Sequence, residues 1–103
     1  METSKTLAHG TLGANSDTWF LMTRDQMLLV DVSFVVDSSL EGKTVSIVGT
    51  MGTPPGSPFV KLIAERIVGH EAIAVRAIEI YHLEPASSAD DNWLRAEREL
   101  LGL

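Results

Sequence analysis

One short stretch of the chain, Gly42-Lys43-Thr44, ends like a phosphate-binding loop. Such a loop also needs a glycine at position 37 and a helix after the lysine, because backbone N–H groups at a helix start hold the phosphates. Position 37 is an aspartate, and the β-branched residues that follow Lys43 favour a strand. We therefore interpret Gly42 as a turn residue.

The histidines and the paired acids do not have the spacing of a metal site. His9, His70 and His82 lack the His-x-x-x-His pattern, and the last two are separated by about 18 Å if one helix carries both. We expect all three to be surface histidines. Asp90 and Asp91 are interpreted as the acidic start of a helix. The sequence predicts no metal site and no cofactor.

Nucleophilic catalysis has little basis in these residues. The chain contains no cysteine and no Gly-x-Ser-x-Gly motif, and Ser38-Ser39 has no histidine or carboxylate at a recognisable spacing. We assign no catalytic residue, and the sequence favours a protein that is not an enzyme.

Aromatic and basic residues in the first two thirds of the chain define a candidate binding face. Because Trp19 and Phe20 are adjacent on a predicted strand, one of them must point away from the core. Nucleic-acid bases stack on exposed aromatic rings beside cationic side chains. The candidate ligand or partner face comprises Trp19, Phe20, Lys43, Phe59, Lys61 and Arg66.

The charge of the chain weighs against nucleic acid as the partner. The 103 residues carry a formal net charge of −6. Residues 1–69 have five basic and seven acidic side chains, whereas residues 70–103 have three and seven. Since binding to nucleic acid depends on cations that displace counterions, an acidic chain favours a protein partner or a homodimer. Single-stranded nucleic acid or oligosaccharide remains the alternative.

The first part of the chain predicts a small β-barrel. Apolar residues alternate with polar ones in residues 27–35, which is typical of a half-buried strand. The predicted strands are 5–12, 18–23, 27–35, 44–51 and 59–68, with a helical turn at 37–42 and a bulge near 64–66. This order, with the pattern L-x-G-K-x-V-x-I-x-G from Leu40 to Gly49, resembles an oligonucleotide/oligosaccharide-binding (OB) barrel. An SH3-like barrel is the alternative. The predicted fold class is α+β, mainly β, with five antiparallel strands before a helical hairpin.

The last third predicts two helices. The first covers 70–83 and is apolar on more than one side, so we expect it to lie between the barrel and the second helix. Pro85 ends it, and the second begins near Asp91 after a cap at Ser88, Asp90 or Asp91. In this hairpin we expect structural roles for Arg76, Tyr81, Trp93 and Glu97.

These helices share residues with a known family. Two segments, R-A-x-E ending at Glu79 and W-L-x-A-E-x-E-L ending at Leu100, resemble a short bacterial domain of unknown function. The chain departs from that pattern at Ile78, where an aromatic residue is usual, and at 84–86, where glycines are usual. The resemblance implies a two-helix hairpin and assigns no chemistry.

Glu97 is the unusual residue of the hairpin, because its position falls among the apolar residues of the second helix. A buried carboxylate needs a partner. We predict that Glu97 pairs with Arg76 or accepts a hydrogen bond from the Tyr81 hydroxyl.

The chain as a whole is interpreted as one compact unit, with a barrel at 1–69 and a hairpin at 70–103 packed on it. No apolar run approaches the length needed to span a bilayer, and the N-terminus lacks the apolar segment of a signal peptide. We expect a soluble, cytoplasmic binding or assembly module that does not contact membranes.

Overall fold

The chain forms a closed five-stranded barrel followed by two helices. The computed structural model describes residues 5–16, 18–52 and 60–103. The elements are β1 (Thr6–Asn15), β2 (Thr18–Met22), β3 (Met27–Val32), β4 (Thr44–Gly52), β5 (Lys61–Gly69), α1 (His70–Leu83) and α2 (Ala89–Leu101). The predicted α+β class, the closed five-stranded barrel and the C-terminal helical hairpin are confirmed.

The strand order around the barrel is β1-β2-β3-β5-β4, and β4 pairs with β1 to close the ring. Four of the pairings are antiparallel, but β3 and β5 run parallel. The prediction of an entirely antiparallel barrel was therefore wrong. Strand β4 returns the chain to its starting end, so β5 runs in the direction of β3 when it is inserted between β3 and β4. Alternation within one strand carries no information about the direction of its neighbour.

Two features fix how the strands curve. Gly10 lies just before Thr11, the residue of β1 that pairs with both β4 and β2, and a Cβ on Gly10 would lie 2.4 Å from the carbonyl oxygen of Met22. In β5, Ala64 pairs with Gly49 and Arg66 pairs with Val48, which leaves Glu65 as an extra residue. This bulge was predicted near 64–66. A Cβ on Gly49 would approach the Ile63 carbonyl oxygen, so the bulge requires glycine opposite it.

Strand β4 is buried on both of its faces. Val45 and Ile47 point into the barrel, where they pack with apolar residues of every other strand: Leu12, Leu21, Leu28, Val30, Leu62 and Ala64. Ser46 and Val48 point outward and are also buried. They are covered because both helices pack against β4 and β5.

The turn before β4 lies over the barrel core. A short 3₁₀ segment at Ser38–Leu40 is capped by the Asp37 carboxylate, which accepts a hydrogen bond from the Ser39 backbone N–H at 2.9 Å. Leu40 packs on the core, and Gly42 has a positive φ of 79°. Strand β3 ends at Val32 rather than at residue 35 because the chain already bends toward this turn.

Helix α1 begins directly after β5, without a loop, and covers the predicted residues. Helix α2 begins at Ala89, two positions before the prediction, because Ser88 caps it by accepting from the Asp91 backbone N–H. Ile73, Ile80 and Ala96 form a second core between the helices. Among the described residues, neither helix combines the length and apolarity needed to cross a membrane.

The expectation that α1 lies between the barrel and α2 was wrong. Both helices reach β4 and β5, so they lie side by side on the barrel. Consequently α1 leaves large apolar side chains in solvent, namely Val75, Ile78, Tyr81 and Leu83.

Candidate functional site

The predicted aromatic and basic face is only partly assembled. Trp19 packs against the barrel core, so Phe20 is the aromatic residue that points outward from β2. The strand register places Phe20 opposite Leu29, and Leu29 opposite Lys61, which gives one row across three strands. The ammonium group of Lys61 is 3.3 Å from the Asp31 carboxylate. The row therefore presents a paired rather than a free cation.

The other members of that face lie elsewhere. Lys43 is exposed before β4, on the far side of the strand order from β2 and β3. Arg66 lies beside the end of α2, where its guanidinium donates to the Leu100 carbonyl oxygen at 3.4 Å. Phe59 lies outside the described residues. The face thus remains a prediction, for which the structure places Phe20 and Lys61 in one row with Leu29 between them.

A different group of polar residues meets where the hairpin covers the barrel. We call it the junction cluster: His9 of β1, Ser46 of β4, His70 of α1 and Glu97 of α2. His9 and Ser46 are directly opposite each other in the β1–β4 pairing, so they share the outer face of the barrel. The two helices bring His70 and Glu97 down onto that face.

The hydrogen bonds of the junction cluster have a defined direction. The Ser46 hydroxyl donates to Glu97 Oε2 at 2.7 Å, and the Nε2–H of His9 donates to the same oxygen at 2.8 Å. Since the single proton of Ser46 is used in this bond, the Ser46 oxygen accepts from Nε2–H of His70 at 3.0 Å. Neutral His70 therefore carries its proton on Nε2. The chain of donors ends on one carboxylate that is only 2% exposed.

Burial and local charge determine the protonation of His70. Desolvation lowers the pKa of His70 below its ordinary value of 6.5, the neighbouring His9 lowers it further, and Glu97 opposes both. His70 is also the first residue of α1, where the positive end of the helix disfavours an imidazolium. The ring edge of His70 meets Trp93 with the centroids 5.1 Å apart. These contacts favour a neutral His70 at neutral pH.

The junction cluster has the residue types of an acyl-transfer triad but not its arrangement. In a triad the histidine stands between the serine and the acid and removes the serine proton. Here Ser46 stands between His70 and Glu97, and its oxygen is fully buried. The cluster therefore joins the hairpin to the barrel, and Ser46 is closed to a substrate.

The predicted partners of Glu97 were wrong. Its carboxylate binds Ser46 and His9, both from the barrel, and not Arg76 or Tyr81. Arg76 instead makes two hydrogen bonds to Glu99, at 3.0 and 3.1 Å, and one to Glu79. Tyr81 is half exposed, with its ring beside His82.

His9 is about half exposed, as expected of a surface histidine, although its ring binds Glu97, whereas His70 is partly buried and departs from that expectation. The proximity of the two histidines was not predicted, because they are far apart in the chain. The role of Ser46 was not predicted either, because the alternation of β4 placed its side chain outside the barrel. The one available signal was the burial of Glu97, which required donors from outside its own hairpin.

The hairpin carries a second feature on its outer side, a groove between α1 and α2. The volume of this groove is about 310 Å³. Its lining residues are mostly apolar or aromatic: Ala74, Ala77, Ile78, Tyr81, Ala89, Asn92 and Trp93. Three of the lining residues are alanines, whose small side chains leave space between the helices. We call this the hairpin groove.

The surface around the hairpin groove is apolar and acidic. Ile78 is 58% exposed, and Val75, Tyr81 and Leu94 are exposed to a similar degree. Two of the three hairpin arginines are already paired, Arg76 with Glu99 and Arg95 with Glu84. Within the part of the chain that the structure describes, the acids Glu71, Asp90 and Asp91 have no ion-pair partner.

No family model, curated protein or solved structure matches the chain. The resemblance of residues 72–101 to a short bacterial domain therefore stays a prediction.

Proposed function

We propose that this protein is a non-enzymatic binding module that captures a basic, amphipathic helical segment of a partner protein in the hairpin groove. The observation that supports this most directly is the apolar groove with exposed side chains beside it. Apolar surface that is removed from water contributes about 25 cal/mol per Å². A single helix laid between α1 and α2 covers such a surface.

The net negative charge of the hairpin favours a partner segment that is positively charged. Residues 70–103 carry three basic and seven acidic side chains, a net of −4, and the paired arginines are unavailable to an acidic ligand. A segment with lysines or arginines beside its apolar face complements this surface. A second copy of the chain brings the same negative charge and is disfavoured for the same reason.

The test uses a synthetic amphipathic peptide of leucine and lysine, with a peptide of leucine and glutamate as its counterpart. Fluorescence anisotropy of the labelled peptides measures the affinity. We expect the lysine peptide to bind at micromolar concentration and the glutamate peptide not to bind. Absence of binding by the lysine peptide would contradict the proposal.

Two matched variants distinguish the groove from simple charge attraction. Ile78→Glu places a charge beside the groove, while Ile63→Glu places one on the exposed outer side of β5. We expect Ile78→Glu to weaken the lysine peptide at least about tenfold and Ile63→Glu to leave it nearly unchanged. If attraction were purely electrostatic, both added acids would strengthen binding, and the groove would be excluded as the site.

Two further outcomes would favour the other partners. Light scattering that gives twice the monomer mass, with Ile78→Glu restoring the monomer, would assign the groove to a second copy. Micromolar binding of single-stranded DNA that is lost in Phe20→Ala or Lys61→Glu would move the function to the barrel face.

A further inference from the structure

Another cavity lies on the outer side of the barrel, where the end of α2 approaches β5. Its volume is about 500 Å³, within the range of about 300–1,000 Å³ that is typical of small-molecule sites. Its lining comes from the start of the described chain, the segment after β3, strands β4 and β5, and the end of α2. We call it the β5 cavity. Three of its lining residues are buried, namely Val48, Ala64 and Leu101, so part of the lining is apolar.

The bulge in β5 brings two charged side chains to this cavity. Ala64 packs in the barrel core, and regular alternation would turn Arg66 toward the core as well. The extra residue Glu65 shifts the alternation, so that Ile67 packs on the core instead. Glu65 and Arg66 are therefore both exposed, and both line the β5 cavity.

The charges in the β5 cavity leave one cation without a counterion. The Lys5 ammonium group is 3.1 Å from the Glu65 carboxylate, and these two charges neutralise each other. Arg66 forms no ion pair with any residue that the structure describes. Its hydrogen bond to the Leu100 carbonyl oxygen uses one N–H, and a guanidinium has several others in a planar fork. The cavity therefore offers a ligand one net positive charge.

The end of α2 holds this guanidinium in place and leaves it accessible. Arginine side chains commonly bond the last carbonyl groups of a helix, as Arg66 does with Leu100. Gly102 follows the helix, has a positive φ of 73° and also lines the cavity. A Cβ on Gly102 would lie 3.4 Å from Cζ of Arg66, so glycine leaves that side of the guanidinium uncovered.

A single accessible guanidinium matches a ligand with a single negative charge. The planar fork of arginine binds a carboxylate through two parallel hydrogen bonds. A phosphate group carries a charge of about −1.5 to −2 at neutral pH, so the neighbouring Glu65 carboxylate repels it more strongly. The apolar part of the lining, with Val48 and the exposed side chain of Ile63, suits a hydrocarbon body.

We propose that the β5 cavity binds a small monocarboxylate with an apolar body, whose carboxylate accepts hydrogen bonds from Arg66. The hydrocarbon part replaces water over Val48 and Leu101. This site shares no lining residue with the hairpin groove, so it does not depend on the function proposed for that groove.

The experiment titrates the ¹⁵N-labelled protein with isocaproate and with isocaproamide, which has the same outline without the charge. For a ligand of this size we expect isocaproate to bind with a Kd of about 1 mM and the amide at least about tenfold more weakly. The expected chemical-shift changes are at the backbone amides of Ile63 and Gly102 and at Nε–H of Arg66. Absence of saturable changes at these groups, or equal affinities for the two compounds, would overturn the proposal. Inorganic phosphate is the third probe, and binding as tight as that of isocaproate would overturn the assigned ligand class.

Two variants locate the binding site. Arg66→Gln is expected to weaken isocaproate about tenfold and to leave isocaproamide unchanged. Lys43→Gln makes the same change of charge at an exposed position before β4 and is the matched control. Equal weakening in the two variants would show attraction to the overall charge and refute the role of Arg66.

Ile63→Glu tests the cavity without altering the bond between Arg66 and α2. It adds a carboxylate to the lining, so we expect isocaproate to bind at least about fivefold more weakly. The same variant is expected to leave peptide binding to the hairpin groove nearly unchanged, which separates the two sites. Unchanged isocaproate affinity in Ile63→Glu would exclude the β5 cavity as the binding site.

Discussion

Ser46→Ala is the most direct perturbation of the junction cluster. The substitution removes one oxygen atom and leaves the strand, its pairing with β1 and the apolar packing of β4 in place. The Ser46 hydroxyl donates to Glu97 and accepts from His70, so its loss interrupts the path of hydrogen bonds that joins the two. We expect the hairpin to be held less firmly on the barrel.

The expected magnitude follows from the two bonds. A hydrogen bond to a charged group contributes about 1.5–3 kcal/mol. The N–H of His70 also loses its acceptor, but because His70 is only partly buried, water offsets part of that loss, which we set at about 1 kcal/mol. The free energy of unfolding should fall by about 3 kcal/mol, which corresponds to a decrease of about 14 °C in Tm for a chain of this length.

Urea unfolding at neutral pH, followed by circular dichroism, measures this change. Ser33→Ala makes the same chemical substitution at an exposed position after β3 and is the matched control, with an expected change below about 0.5 kcal/mol. Combining Ser46→Ala with Glu97→Gln gives a double-mutant cycle. Because the two side chains are in contact, we expect a coupling free energy of about 1–2 kcal/mol.

Two results would refute this reasoning. If Ser46→Ala changed the free energy of unfolding no more than Ser33→Ala does, the bonds of Ser46 would not stabilise the fold. If the effects of Ser46→Ala and Glu97→Gln were additive, the serine and the carboxylate would act independently.

Three other substitutions test separate parts of the structure. Because the pKa of His70 is lower in the folded chain, the unfolded chain binds protons more readily below about pH 6.5, so the free energy of unfolding should fall as the pH decreases from there. Urea unfolding measured at several pH values should show a smaller fall in His70→Asn, with the exposed His82→Asn as its control. Equal pH dependence of stability in the wild type and His70→Asn would contradict this prediction. Trp93→Ala should lower the free energy of unfolding by about 3 kcal/mol, because Trp93 packs both on the core between the two helices and on His70. An unchanged Tm would show that Trp93 does not anchor the hairpin. Gly49→Ala places a Cβ 2.1 Å from the Ile63 carbonyl oxygen and should destabilise the barrel by about 3 kcal/mol or more. In the control Gly13→Ala the new Cβ meets no atom within 4 Å, so the loss of stability should be small. Similar thermal midpoints for the two variants would count against the close approach at Gly49.

The strands and helices were predicted well from local sequence patterns, because each of them is determined mainly by residues that are close together in the chain. The period of two in β3, the cap at Ser88 and the helix formers of α1 act within a few residues of themselves. The bulge at Glu65 was also visible, since Arg66 interrupts the alternation of β5. These signals depend on the chain's own neighbours, so one sequence is enough to show them.

The pairing of elements could not be predicted in the same way. The parallel contact of β3 with β5, and the helices that cover Ser46, depend on residues that are distant in the chain. The bond between Ser46 and Glu97 spans 51 positions, and that between His9 and Glu97 spans 88. Burial of Glu97 was foreseeable from the helix period, whereas its partners required the three-dimensional arrangement.

The bond from His9 to Glu97 has a consequence for the order of folding. It connects the first strand to the last helix, so it forms only after the barrel has closed and the hairpin has docked. Contacts between residues this far apart in the chain form late in folding, because closing a long loop costs conformational entropy. The contacts between α1 and α2 join residues closer in sequence and form early. We therefore expect substitutions at the junction cluster to accelerate unfolding and to leave the folding rate nearly unchanged. On this basis the junction cluster sets how long the native state lasts once it has formed.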